Sequence, residues 1–86
     1  MIDYKEILTI HEILIEKFGG SKGVRDINIL QSALNRPFAT FDGQELHKTI
    51  TEKAAALIES IVKNHAFIDG NKRTGYVIMR LFMMQN

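Results

Sequence analysis

The chain contains no cysteine in its 86 residues, which excludes a disulfide scaffold and a thiolate metal site. No run reaches the roughly 18–20 apolar residues needed to cross a bilayer, so no membrane partner is expected. The first residues lack a basic start leading into an apolar stretch, so no secretory signal is read there. An excess of charge of one sign is also missing. The formal net charge is +1 and the cations are scattered rather than striped, which argues against a nucleic-acid partner. There is no internal repeat and no low-complexity segment. Hydrophobic residues at 45% and charged residues at 24% are ordinary for a globular protein. These absences leave one small domain, residues 1–86, with a cytoplasmic, reducing location as the expectation.

The pattern that is present is helical. Asp3 and Glu6 suit an N-terminal capping box, and Ile7, Leu8, Ile10, Leu14, Ile15 and Phe18 follow near helical period. Gly19-Gly20 stops this helix. Asp26 can cap a second, shorter helix carrying Ile27, Ile29, Leu30, Ala33 and Leu34, and Arg36-Pro37 is expected to end it by pushing Arg36 out of the α region. Pro37 to Gly43 reads as an extended segment closed by an Asp-Gly turn. Phe38 and Phe41 there suit either a flap or a tuck beneath the domain. A third helix is expected from Thr49 or Thr51 to about Lys63, with Asn64 ending it in the left-handed conformation. No convincing strand appears apart from the hairpin, so the fold class is all-α, with a short extended flap or hairpin before the third helix.

A fourth helix begins near Asn71 and is apolar on almost every face from Tyr76 to Met84, broken only by Arg80. Such a helix needs cover on all sides. The expectation is either a homo-oligomer joined through it or, as the favoured reading, a domain that lacks its C-terminal helices.

Between the third and fourth helices lies the densest chemistry, His65-Ala-Phe-Ile-Asp-Gly-Asn-Lys-Arg73. A helix start preceded by a glycine turn presents free N–H groups to an anion. Gly70 lets the backbone approach, and Lys72 and Arg73 add positive charge for phosphate oxygens. Asp69 is placed to bind Mg²⁺, which favours carboxylate plus phosphate oxygens. His65 supplies an imidazole, the side chain suited to removing a proton from an attacking hydroxyl at neutral pH. Taken singly, Asp69 could be only an N-cap, Gly70 only a turn and the two cations only a solvated face. His11 and His47 read as structural or surface residues. The conjunction in one loop points to a phosphate-handling site.

This stretch resembles the signature of the Fic/Doc superfamily, in its Doc (death-on-curing) branch. The resemblance extends to Lys17-Phe-Gly-Gly20, Ser32-Ala-Leu-Asn-Arg-Pro37, Thr40-Phe-Asp-Gly-Gln-Glu-Leu46 and Glu52-Lys-Ala-Ala-Ala-Leu57. It implies a toxin of a toxin–antitoxin pair that acts as a protein kinase, moving the γ-phosphate of ATP to a hydroxyl of elongation factor Tu. By the same resemblance, His65 would be the general base and Asp69 the Mg²⁺ ligand. Gly70, Asn71, Lys72 and Arg73 would hold the nucleotide phosphates, and Ala39, Thr40 and Phe41 would form the flap that aligns the protein substrate. A Phd-like antitoxin would restrain the toxin in trans. Fic enzymes that transfer AMP carry glycine where Lys72 stands and a second arginine where Tyr76 stands. AMP transfer is therefore the lesser alternative, beside a non-catalytic remnant that binds an antitoxin or itself.

Overall fold

The computed structural model describes residues 2–86. Four helices carry the chain: α1 (Tyr4–Phe18), α2 (Ile27–Asn35), α3 (Ile50–Lys63) and α4 (Asn71–Gln85). A 3₁₀ turn over Arg36–Phe38 and a hairpin, β1 (Thr40–Phe41) with β2 (Gln44–Glu45), join α2 to α3. The small helical domain with a hairpin before its third helix is the architecture read from the sequence.

Helix α3 runs through the middle of the core. Its Ala54, Leu57 and Ile61 pack with Ile7 from α1, Leu30 and Ala33 from α2, and Ile78 and Phe82 from α4. Local chemistry sets the starts of α2 and α3. The Asp26 carboxylate accepts from the Asn28 N–H at 2.9 Å, and the Thr49 hydroxyl accepts from the Glu52 N–H at 3.0 Å. Each satisfies a donor that the helix itself cannot.

The hairpin pairs Thr40 with Glu45 and Phe41 with Gln44. Asp42 and Gly43 both have positive φ, 54° and 78°, as a two-residue turn matched to strand twist requires. The two phenylalanines divide. Phe38 sets its ring edge-on to Phe82 at 6.1 Å, whereas Phe41 is 75% exposed. Lys53 on α3 fixes the hairpin's base. Its ammonium is almost buried, donates to Glu45 at 2.9 Å and donates to the His47 carbonyl.

Three local expectations need correction. Asp3 stands at the N-cap of α1, but its side chain makes no capping hydrogen bond. Arg36 keeps α-region angles, φ −56° and ψ −40°, because the chain tightens into the 3₁₀ turn, which accommodates Pro37 in its first positions. Asn64 is not left-handed at φ −94°; His65, one position later, is, at φ 51°. As the apolar pattern of α4 implies, the described residues cover this helix on one side only. Thr74, Gly75, Ile78 and Phe82 face the core, while Tyr76, Met83 and Met84 stand exposed.

Candidate functional site

The loop between α3 and α4 is held from both sides. At its start, the Ala66 N–H reaches the Ile61 carbonyl at 3.2 Å and the His65 N–H reaches Val62 at 3.4 Å. These two bonds, around a left-handed His65, form the paired C-terminal closure usually built on glycine. The segment before α2 lies against the loop. Arg25 N–H donates to Ala66 at 3.0 Å, Ile68 N–H donates to Gly23 at 3.1 Å, and Val24 pairs with Phe67.

Phe67 anchors the loop. It is fully buried and stacks on His11 at 4.1 Å with the rings nearly parallel. Ile68, the next residue, is 57% exposed, because the pairing with Gly23 turns alternate residues to opposite faces. Asn71 brackets Phe67 from the other side. Its side-chain carbonyl accepts the Phe67 N–H at 2.8 Å, and its amide donates to the Phe67 carbonyl at 2.9 Å. The Asn71 side chain thus holds the loop, and its contribution toward an anion is its backbone N–H.

Asp69 is oriented through both its backbone and its carboxylate. His11 Nε2 lies 2.8 Å from the Asp69 carbonyl. A carbonyl can only accept, so Nε2 carries the proton. One carboxylate oxygen accepts the Gly70 N–H at 2.8 Å and the other the Ser21 N–H at 3.1 Å. The Ser21 bond, then the Gly70 bond, hold this carboxyl below its ordinary pKa of 3.8, against a small burial effect and aided slightly by His11. Gly20 makes the approach possible: a Cβ there would fall 2.8 Å from a carboxylate oxygen, at φ 120°.

An open cleft of about 800 Å³ is lined by His65, Asp69, Gly70, Asn71, Lys72 and Arg73, with Val62, Ile68, Tyr76 and Val77 as its apolar wall. The Gly70 N–H belongs to Asp69, so the donors left free at the start of α4 are those of Asn71, Lys72 and Arg73, which have no intrahelical acceptor. The Arg73 guanidinium rests on the Phe18 ring, 4.2 Å from its centre. Among the described residues no trio of His, Asp or Glu could hold a metal alone. A divalent ion here would need Asp69 together with phosphate oxygens, which is how Mg²⁺ usually binds nucleotides. Ala39, Thr40 and Phe41 belong to the hairpin region and lie outside the lining of this cleft.

A Fic/DOC family model matches residues 1–83. The chain belongs to the Fic/DOC family. It is 40% identical over 85 residues to Toxin Doc of Mycolicibacterium smegmatis, covering 99% of this chain and 63% of that protein. It is 27% identical over 85 residues to Protein kinase doc of Escherichia phage P1, covering 99% and 67%. The chain therefore spans about two thirds of the length of each of these relatives. No solved structure matches it significantly.

The family signature falls on the loop and helix start that line the cleft. Arg25, His11, Gly20 and Ser21 complete the site, and the motif gave no sign of them. Their partners lie 39 to 58 positions away, beyond the reach of local pattern. The glycine pair before Ser21 was the one available hint.

Proposed function

We propose that this chain carries the phosphate-handling site of a Doc-type toxin, a protein kinase that transfers the ATP γ-phosphate to a serine or threonine hydroxyl. The observation that carries the reading is the meeting of His65, Asp69, Lys72 and Arg73 on one cleft at the start of α4. The names of the two relatives, a toxin and a protein kinase, support the same reading. His65 takes the proton of the attacking hydroxyl, whose oxygen forms a bond to the γ-phosphorus. The bond from that phosphorus to the β–γ bridging oxygen breaks, and ADP leaves with the electron pair. The N–H groups of Asn71, Lys72 and Arg73 and the two cationic side chains bind the phosphate oxygens. Asp69, held ionised by its backbone donors, would hold Mg²⁺, which when bound neutralises phosphate charge. Elongation factor Tu is the proposed substrate, a Phd-like antitoxin the proposed restraint and the cytoplasm the proposed location.

A second reading, binding without catalysis, draws on the exposed apolar groove between α1 and α4, lined by Ile10, Tyr76, Val77, Arg80, Leu81 and Met84. One experiment separates the readings: the mass of elongation factor Tu after incubation with the protein, ATP and Mg²⁺, beside a His65→Ala control. A gain of one phosphate that the control lacks is expected. A gain of one AMP would mean that Lys72 in place of glycine does not exclude AMP transfer. No gain would leave binding as the better account.

A further inference from the structure

His65 occupies a backbone well that residues with side chains rarely enter. Its φ is 51°, at a position where helices ordinarily place glycine. A glycine there would close α3 more easily but would leave the cleft without an imidazole, so something must hold the conformation for a histidine. Arg25 is the residue in place to do so. Its Nε donates to the His65 carbonyl at 2.7 Å and its Nη2 to the Asn64 carbonyl at 2.6 Å. The Asn64 carbonyl stands at the C-cap of α3, which cannot satisfy it, and the His65 carbonyl lies one residue beyond. The guanidinium charge sits where the helix dipole favours a cation. The Arg25 backbone is fixed as well, through its N–H to Ala66. Among the described residues the His65 imidazole makes no hydrogen bond of its own. Its direction is therefore set by its backbone and by what holds that backbone.

We propose that Arg25 is a positioning residue for His65, a two-pronged clamp that aims the imidazole into the cleft from outside it. The inference rests on reading His65 as the general base. It assigns Arg25 no contact with substrate. A planar guanidinium spans two neighbouring carbonyls with parallel donors, which an ammonium on a flexible stem does not reproduce.

The test compares wild type, Arg25→Ala and Arg25→Lys in the mass assay above, with amide hydrogen exchange followed by NMR on the same samples. For Arg25→Ala the expected result is a kcat lower by about 10- to 100-fold, the scale of loss from a misplaced catalytic group. KM for ATP should stay within about twofold, because the phosphate donors lie on α4 and keep their places. Exchange of the His65 and Ala66 amides should accelerate at least tenfold, while the core amides of α3 remain protected. Added guanidinium should restore part of kcat in Arg25→Ala, and Arg25→Lys should fall between the two.

Unchanged kcat with unchanged exchange at His65 and Ala66 would overturn the clamp. So would a loss shared equally by kcat, ATP binding and melting temperature, since that marks a general structural role. If wild type and His65→Ala are equally inactive, it is the phosphotransfer reading that fails. The exchange at His65 and Ala66 then decides the clamp by itself.

Discussion

Asp69 shows how a single residue is tuned chiefly by backbone donors, with charge in a minor part. Its oxygens accept the Ser21 and Gly70 N–H groups, and these bonds favour the ionised form. The folded pKa therefore lies below the unfolded one, and in acid the unfolded chain binds the extra proton. The stability this carboxylate contributes is complete above the ordinary value of 3.8 and is lost as pH falls through the folded value. Urea melts of wild type and Asp69→Asn in chelator, from pH 7 into the acid limb, should show a gap that closes below that range. A gap that stays constant would mean that the two bonds do not discriminate between protonation states. The neighbouring Gly20→Ala change tests the same bonds sterically. A Cβ at 2.8 Å from the carboxylate oxygen and φ 120° should cost about 1–3 kcal/mol. That corresponds to a fall of roughly 4–8 °C in melting temperature for each kcal/mol. The Ser21 amide signal should shift with it, and a silent Ser21 would show that the loop yields without moving Asp69.

The elements differ in how far the sequence announces them. The starts of α2 and α3 are legible because Asp26 and Thr49 act on donors two or three residues away. The hairpin is legible because Asp42-Gly43 suits the one turn that needs positive φ twice. The end of α3 is misread by one residue. Asn64 tolerates the left-handed region by nature, yet it is His65 that occupies it, held in place by Arg25 from 40 positions away. The same limit hides the latch between α3 and the hairpin, where Lys53 reaches Glu45 and the His47 carbonyl. Replacing Lys53 with Met keeps the buried stem and removes the charge. Glu45 is half exposed and returns to water at little cost, whereas the hairpin loses its tie. Exchange of the hairpin amides should accelerate about tenfold, equivalent to about 1.4 kcal/mol, with α3 and α4 unaffected. Acceleration across α3 as well would mean that Lys53 belongs to the core rather than to a local latch.

For the molecule as a whole, the decisive element is α4, because one helix serves both the core and the site. Its first turn supplies the free N–H groups beside the cleft, and its inward face supplies Ile78 and Phe82 to the core. Its outward face is no part of that core. Met84 is 79% exposed and Tyr76 52%, with the Arg80 guanidinium 6.0 Å from the Tyr76 ring centre. The all-round apolar pattern of the sequence thus combines two demands, a buried stripe and an open groove against α1. The two faces should respond oppositely to substitution. Phe82→Ala removes a ring that is 2% exposed and should cost about 3–5 kcal/mol, a large share of the roughly 5–15 kcal/mol that a domain commonly has. Tyr76→Lys with Met84→Lys should change stability by about 0.5 kcal/mol or less, as surface changes do. That double variant should nonetheless abolish most of the binding of an apolar fluorescent dye by the native protein, since it charges the groove that a dye would enter. If it destabilises the protein as much as Phe82→Ala does, the groove is structural and the site depends on both faces of α4. If stability holds while dye binding falls, α4 carries a surface that the core does not need and that a partner could cover, sharing Tyr76 and Val77 with the wall of the cleft.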